Sequence, residues 1–104
     1  MTVTEHIITV GLFDKDSKRQ EINTLDAYKV VTNLFVAAGL CATILEAQGV
    51  YCHDNGEVVI EPSLRIECAN ATFEQVEPVI FQIKVALNQE SIMYKLVESN
   101  ISFI

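Results

Sequence analysis

The chain is short of several things, and each shortage excludes a class of protein. Glycine and proline together number only six, which argues against low-complexity or disordered sequence. Basic residues are scarce: seven Lys and Arg stand against fourteen Asp and Glu, giving a net charge of −7. That balance argues against general binding of a nucleic-acid backbone and against docking on anionic lipid. No apolar run approaches the roughly 18 residues of a membrane span. Residues 1–6 hold no basic segment leading into an apolar core, so no secretory signal is expected. The three cysteines, Cys41, Cys52 and Cys68, are odd in number and lack Cys-x-x-Cys spacing. Free thiols in a reducing cytoplasm, bacterial or of a virus-infected host cell, follow from that pattern. There is no G-x-G-x-x-G or Walker sequence to cradle a phosphate. No metal or cofactor is expected.

What is present is one domain's worth of chain, 104 residues, half of them apolar. Residues 3–13 alternate as a strand, with Ile8, Val10 and Leu12 on one face and Val3, Ile7 and Phe13 on the other. Apolar residues on both faces predict a central strand. A polar loop follows, carrying Lys15, Lys18 and Arg19. Thr24 is placed to cap a helix whose apolar stripe is Tyr28, Val31, Phe35 and Ala38, with Leu34 alongside, and Gly39 fits the left-handed position that closes it.

Residues 40–53 and 57–68 read as a β-hairpin joined at Asn55-Gly56. Asn-Gly favours a two-residue type I′ turn, because both residues tolerate positive φ. That turn pairs Glu46 with Arg65, Leu45 with Ile66, Tyr51 with Ile60 and Gly49 with Pro62. Proline cannot donate a ladder hydrogen bond, so a bulge or bend is expected at Gly49 and Pro62. Thr72 to Gln75 has the form of a capping box. The helix it opens carries Phe73, Val76, Ile80, Ile83 and Leu87 on one stripe, leaves Val79 off it, and contains Pro78, which predicts a kink or a separate first turn. The helix should close near Asn88. A last strand over residues 91–97 follows, with a bend at Ser99-Asn100.

The order β-α-β-β-α-β predicts a ferredoxin-like α+β fold, a four-stranded antiparallel sheet with two helices on one face. Right-handed crossovers place the first and third strands in the centre. The bare face of the sheet is expected to expose Ile7, Ile44, Val50 and Val59, a patch suited to a homodimer or higher homo-oligomer.

Four groupings carry polar chemistry. Cys52 and His53 are neighbours on a strand and point to opposite faces, so they form neither a metal site nor a nucleophile–base pair. His53 and Asp54 are instead expected to shape the hairpin mouth. Glu61, Arg65 and Glu67 read as a charge ladder on one strand face. Lys15, Lys18 and Arg19 form a cationic loop able to hold a phosphate or carboxylate. The run Asn88-Gln89-Glu90-Ser91 is turn material that also lies beside the hairpin.

Several blocks then resemble a family of small uncharacterised bacterial and phage proteins. Thr43 to Gly49 matches the T-x-x-x-A-x-G part of a T-x-x-x-A-x-G-Y/W strand, from which Tyr51 departs by standing two residues after Gly49; Asn55-Gly56 matches a turn, Glu61-Pro62-Ser63-Leu64 an E-x-S/T-L block and Gln89-Glu90-Ser91-Ile92 a Q-E-S-I/V block. Gly11 to Asp16 is similar to the start of phage-associated members. The resemblance implies the α+β fold and brings no activity. Its blocks fall on the hairpin and the last turn, which implies a binding cleft of Tyr51, His53, Glu61, Arg65, Gln89 and Glu90.

Together these features lead to an expected binding protein rather than an enzyme. One form is a phage-encoded anti-defence protein that sequesters a nucleotide-like signal, with Lys15, Lys18, Arg19 or Arg65 on phosphate and Tyr51 or Phe13 stacked on a base. The alternatives are an acidic inhibitor of a basic nucleic-acid-binding host protein and a small enzyme with a cleft between subunits and His53 as base.

Overall fold

The computed structural model describes residues 1–104. The elements run β1 (Thr2–Gly11), α1 (Thr24–Ala38), β2 (Thr43–Cys52), β3 (Val58–Ala69), α2 (Phe73–Ala86) and β4 (Met93–Asn100). The strands form one antiparallel sheet in the order β2-β3-β1-β4, with both helices packed on one face. This is the ferredoxin-like architecture, with β1 and β3 central.

Alternation sets the core. Even-numbered residues of β1 and β3 point toward the helices, so Ile8, Val10, Leu64 and Ile66 are wholly buried. Val31 and Phe35 of α1 meet them, with Val76, Val79 and Ile83 of α2. Two helix stripes differ from expectation. Ala27 is buried in place of Tyr28, which stays 39% exposed, and Val79 is buried while Phe73 lies at the surface. Phe73 sits against the ring of Tyr94. A helix turns about 100° per residue, so a one-residue shift in the stripe's centre exchanges such flanking positions.

The helix ends are defined by side chains. Asn23, one residue before Thr24, caps α1 by accepting from the Asp26 N–H at 2.8 Å. Gly39 closes it at φ +69°. Thr72 and Gln75 make the reciprocal capping box of α2. Pro78 lies inside α2, which runs as a single helix through it. β4 continues through Ser99 to Asn100 instead of ending before a bend.

The hairpin corrects the expected register by one residue. Leu45 pairs with Arg65, Glu46 with Leu64, Gly49 with Glu61 and Tyr51 with Val59. The cause is the turn. The His53 N–H donates to the Glu57 carbonyl at 2.8 Å and the Gly56 N–H to the His53 carbonyl at 2.9 Å. Gly56 is left-handed at φ +86° while Asn55 is not among the positive-φ residues, so three residues form the loop instead of a two-residue type I′ turn. Ile44 and Val50 therefore lie on the helix side, not the bare face.

The expected bulge at Gly49 and Pro62 is absent, and β2 pairs with β3 without interruption. The Pro62 carbonyl accepts from the Leu12 N–H at 2.9 Å. In an antiparallel strand a residue's N and C=O point to the same side. The missing donor of Pro62 thus faces the end of β1, and the ladder to β2 is unaffected.

The molecule measures 45 × 28 × 24 Å. β2 and β3 run beyond the helix layer, so Val50, Val58 and Ile60 point to the helix side with nothing above them and are 63%, 56% and 53% exposed. No helix is long and apolar enough to cross a membrane.

Candidate functional site

A cleft of about 730 Å³ lies on the sheet's bare face, where β1 ends. Three segments build it: the β1–α1 loop, the β2–β3 hairpin and the turn that enters β4. Odd-numbered residues of the strands supply its floor, because they point away from the helices. Thr9, Gly11 and Phe13 come from β1 and the loop after it, Tyr51 and His53 from β2 and the turn, and Glu57, Val59 and Glu61 from β3 and its approach. Gln89, Glu90, Ser91, Ile92 and Met93 close the side.

Glu61 is the centrepiece. Its carboxylate crosses to β1 and accepts from the Phe13 N–H at 2.8 Å. It lies over Gly11, where a Cβ would collide with its carboxylate. Gly11 is therefore the residue that lets Glu61 reach this position. Gly49, opposite Glu61, performs a similar service for Tyr51: a Cβ there would stand 3.0 Å from the Tyr51 ring. Two glycines thus clear the floor for one carboxylate and one aromatic ring. Glu61 makes no ion pair.

The loop and turn are fastened to each other. The Asn88 amide donates to Asp14 Oδ1 at 2.7 Å and Asp16 Oδ2 at 2.9 Å. The Lys15 N–H donates to the Asn88 carbonyl at 3.0 Å. Asp14 Oδ2 also accepts from the N–H groups of Asp16 and Ser17. These bonds, the Asn88 amide first, hold the Asp14 carboxyl below its ordinary value of 3.8. Buried Gln89 donates to the Phe13 and Leu87 carbonyls, at 2.9 and 3.1 Å. It positions the backbone of the cleft wall.

Of the residues expected to bind, Lys15, Lys18, Tyr51, His53, Glu61, Gln89 and Glu90 come together here. Arg19 and Arg65 do not. Arg19 turns away to Glu21, 2.7 Å distant, because both side chains reach into solvent from one loop. Arg65 stands 3.6 Å from Glu67, further along the bare face. The expected ladder therefore lacks its Glu61 end, and Glu46 is not the partner of Arg65. Gly11, Asp14, Glu57, Val59, Ile92 and Met93 join the cleft without having been singled out as binding residues. A glycine inside an otherwise apolar strand was the available signal for Gly11.

Elsewhere, His6 is buried in the middle of β1. Its Nε2 donates to the Ala71 carbonyl, leaving Nδ1 to accept from the Tyr94 hydroxyl, both at 2.6 Å. Burial pushes the Tyr94 hydroxyl and the Cys68 thiol upward. The three cysteines are free, and no cluster of three or more metal-ligating side chains occurs.

No family model matches the chain, and no curated protein matches it in sequence. Solved structures do match in shape. A phage SAM lyase in its apo state superposes with a TM-score of 0.71 at 22% identity, over 93% of this chain and 81% of the lyase chain. The chain shares its fold with that lyase. The same comparison with a phage SAM lyase in complex with S-methyl-5′-thioadenosine gives 0.69 at 22% identity, over 92% and 81% of the two chains. CutA from Xylella fastidiosa superposes at 0.64 with 13% identity, over 97% of this chain and 86% of CutA. At these identities the likeness speaks for the fold.

Proposed function

We propose that the cleft binds S-adenosylmethionine and that the protein cleaves it. The observation that carries this reading is the charge of the cleft. Asp14, Glu57, Glu61 and Glu90 line it against only Lys15 and Lys18. Glu61 at its floor meets a backbone N–H and no cation. A sulfonium is a cation with no hydrogen-bond donor, so carboxylates and aromatic faces are the groups that hold it. Phe13, Tyr51, Ile92 and Met93 add apolar surface for a nucleoside, in a volume ordinary for such ligands.

The shape match adds the chemistry. S-methyl-5′-thioadenosine, held by one phage lyase, is what remains of S-adenosylmethionine after its four-carbon amino-acid arm departs. As the sulfur–Cγ bond breaks, its electron pair goes to sulfur and the sulfonium becomes a neutral thioether. No water is consumed in a lyase reaction. The arm balances its charge by closing on its own carboxylate or by losing a proton. Carboxylates that favour the sulfonium supply affinity, so rate must come from how the cleft orients the arm.

The test is incubation with S-adenosylmethionine and chromatography of the products. Appearance of S-methyl-5′-thioadenosine without any methyl acceptor is expected. Unchanged substrate with no heat of binding would remove the reading. Binding without breakdown would leave sequestration as the function. A phosphorylated nucleotide is the second ligand class, favoured by Lys15 and Lys18 and opposed by the four carboxylates. Titration with cyclic and linear nucleotides separates it.

Self-association as a homodimer or higher oligomer belongs to the same reading. Its support is the uncovered apolar surface of Val50, Val58 and Ile60 on the projecting hairpin. A strict monomer at micromolar concentration would count against it.

A further inference from the structure

We infer that Lys15 and Lys18 read a carboxylate on the ligand, which makes the cleft selective for nucleosides that carry an amino-acid arm. This rests on the S-adenosylmethionine reading and names the part of the molecule that the acidic groups cannot recognise. The two lysines are the only Lys or Arg side chains that line the cleft, and neither makes an ion pair. Two ammonium groups without partners beside four carboxylates suit a ligand that carries both signs of charge.

Their placement in the same cleft as Glu61 suits a ligand with an arm. Lys15 follows Phe13 by two residues, and the Phe13 N–H holds the Glu61 carboxylate. Lys15, Lys18 and Glu61 line the same cleft, the lysines from the loop and Glu61 from the floor. In S-adenosylmethionine three carbons separate sulfur from the carboxyl carbon. A sulfonium at Glu61 keeps that carboxylate within the cleft, where the two lysines are the side chains of opposite charge.

The loop is built in advance of any ligand. Lys18 sits in the left-handed region at φ 62°, uncommon for a residue with a side chain. Its N–H donates to the Asp14 carbonyl at 2.9 Å. The Asp14 side chain and Asn88 fix the rest of the turn. A preformed turn loses less entropy when its lysines engage a ligand. Both lysine stems remain exposed, so the selectivity they confer should weaken with salt.

Two probes whose sulfur is a neutral thioether separate the arm from the nucleoside. S-adenosylhomocysteine carries the arm and its carboxylate. S-methyl-5′-thioadenosine does not. The double variant Lys15→Gln and Lys18→Gln is titrated with both, at low and high salt, after circular dichroism confirms the fold. The expected result is a loss of about tenfold or more for S-adenosylhomocysteine, near the 1.4 kcal/mol that a tenfold change represents, with affinity for S-methyl-5′-thioadenosine unchanged. Equal losses for both probes, or a loss for neither, would overturn the assignment of the lysines while leaving the cleft as a nucleoside site. Wild-type protein that binds neither probe would overturn the cleft reading and this inference together.

Discussion

β3 is two different strands in one. Along residues 64–68 its even-numbered side chains are wholly buried under the helices, while Val58 and Ile60, in the same alternation on the same face, stand more than half exposed. The difference lies in what covers them. Alternation tells which face a residue joins, but burial needs a second layer, and both helices sit over the other end of the sheet. On its helix-facing side the covered end is almost entirely apolar apart from the satisfied His6. The uncovered end holds Tyr51, His53, Glu57 and Glu61 on its opposite face, with the two lysines nearby. Stability is concentrated at one end of the sheet and ligand-facing chemistry at the other.

The two ends should respond differently to the same change. Ile66→Ala should cost about 2–5 kcal/mol in denaturant unfolding, the range for a truncated, fully buried isoleucine. Ile60→Ala should cost about 0.5 kcal/mol or less in the monomer. Similar losses at both positions would mean that the hairpin is as well packed as the core. The next test concerns the cleft. Gly11→Ala puts a methyl group where the Glu61 carboxylate lies. The flexible end of Glu61 can swing away, so unfolding should barely change. Affinity for S-adenosylmethionine should fall about tenfold, or ~1.4 kcal/mol. A third change touches only the covered end. Thr72→Ala removes the capping box of α2 and should cost about 1 kcal/mol without altering ligand affinity.

The smallest effect is one of pH. Asp14 has its folded value depressed by Asn88 and two backbone N–H groups. Its contribution is fully present above the ordinary 3.8 and is lost as pH falls through the lowered folded value. The loop clasp should therefore persist from neutral pH down to about 4, and Asp14→Asn should flatten any acid loss of S-methyl-5′-thioadenosine binding seen below that. An acid loss unchanged in the variant would place its origin elsewhere.

Much of this was legible from residue patterns. Ile8, Val10 and Leu12 marked β1 as central, Gly39 closed α1, and Thr72 with Gln75 opened α2, because each signal depends on neighbouring residues alone. The hairpin register was not legible. Asn55-Gly56 suits both a two-residue turn and a three-residue loop with Gly56 left-handed, and one residue's difference flips every partner. Within the cleft, Tyr51, Glu61 and Gln89 were found through short blocks. Gly11 and Asn88 act through contacts with Glu61 and Asp14, which are far away in sequence, so spacing could not reveal those contacts. Arg65 and Arg19 looked eligible by charge, but each has a nearer carboxylate on its own segment.

In the proposed function, carboxylates at the uncovered end recognise a sulfonium. S-adenosylmethionine and S-adenosylhomocysteine differ by one methyl group and that positive charge. The direct measurement is competition of each against labelled S-methyl-5′-thioadenosine over times too short for turnover. The account predicts that S-adenosylmethionine competes at least about tenfold better, a difference near 1.4 kcal/mol, and that Glu61→Gln narrows the gap. Equal competition by the two, or a preference for the uncharged sulfur, would contradict it.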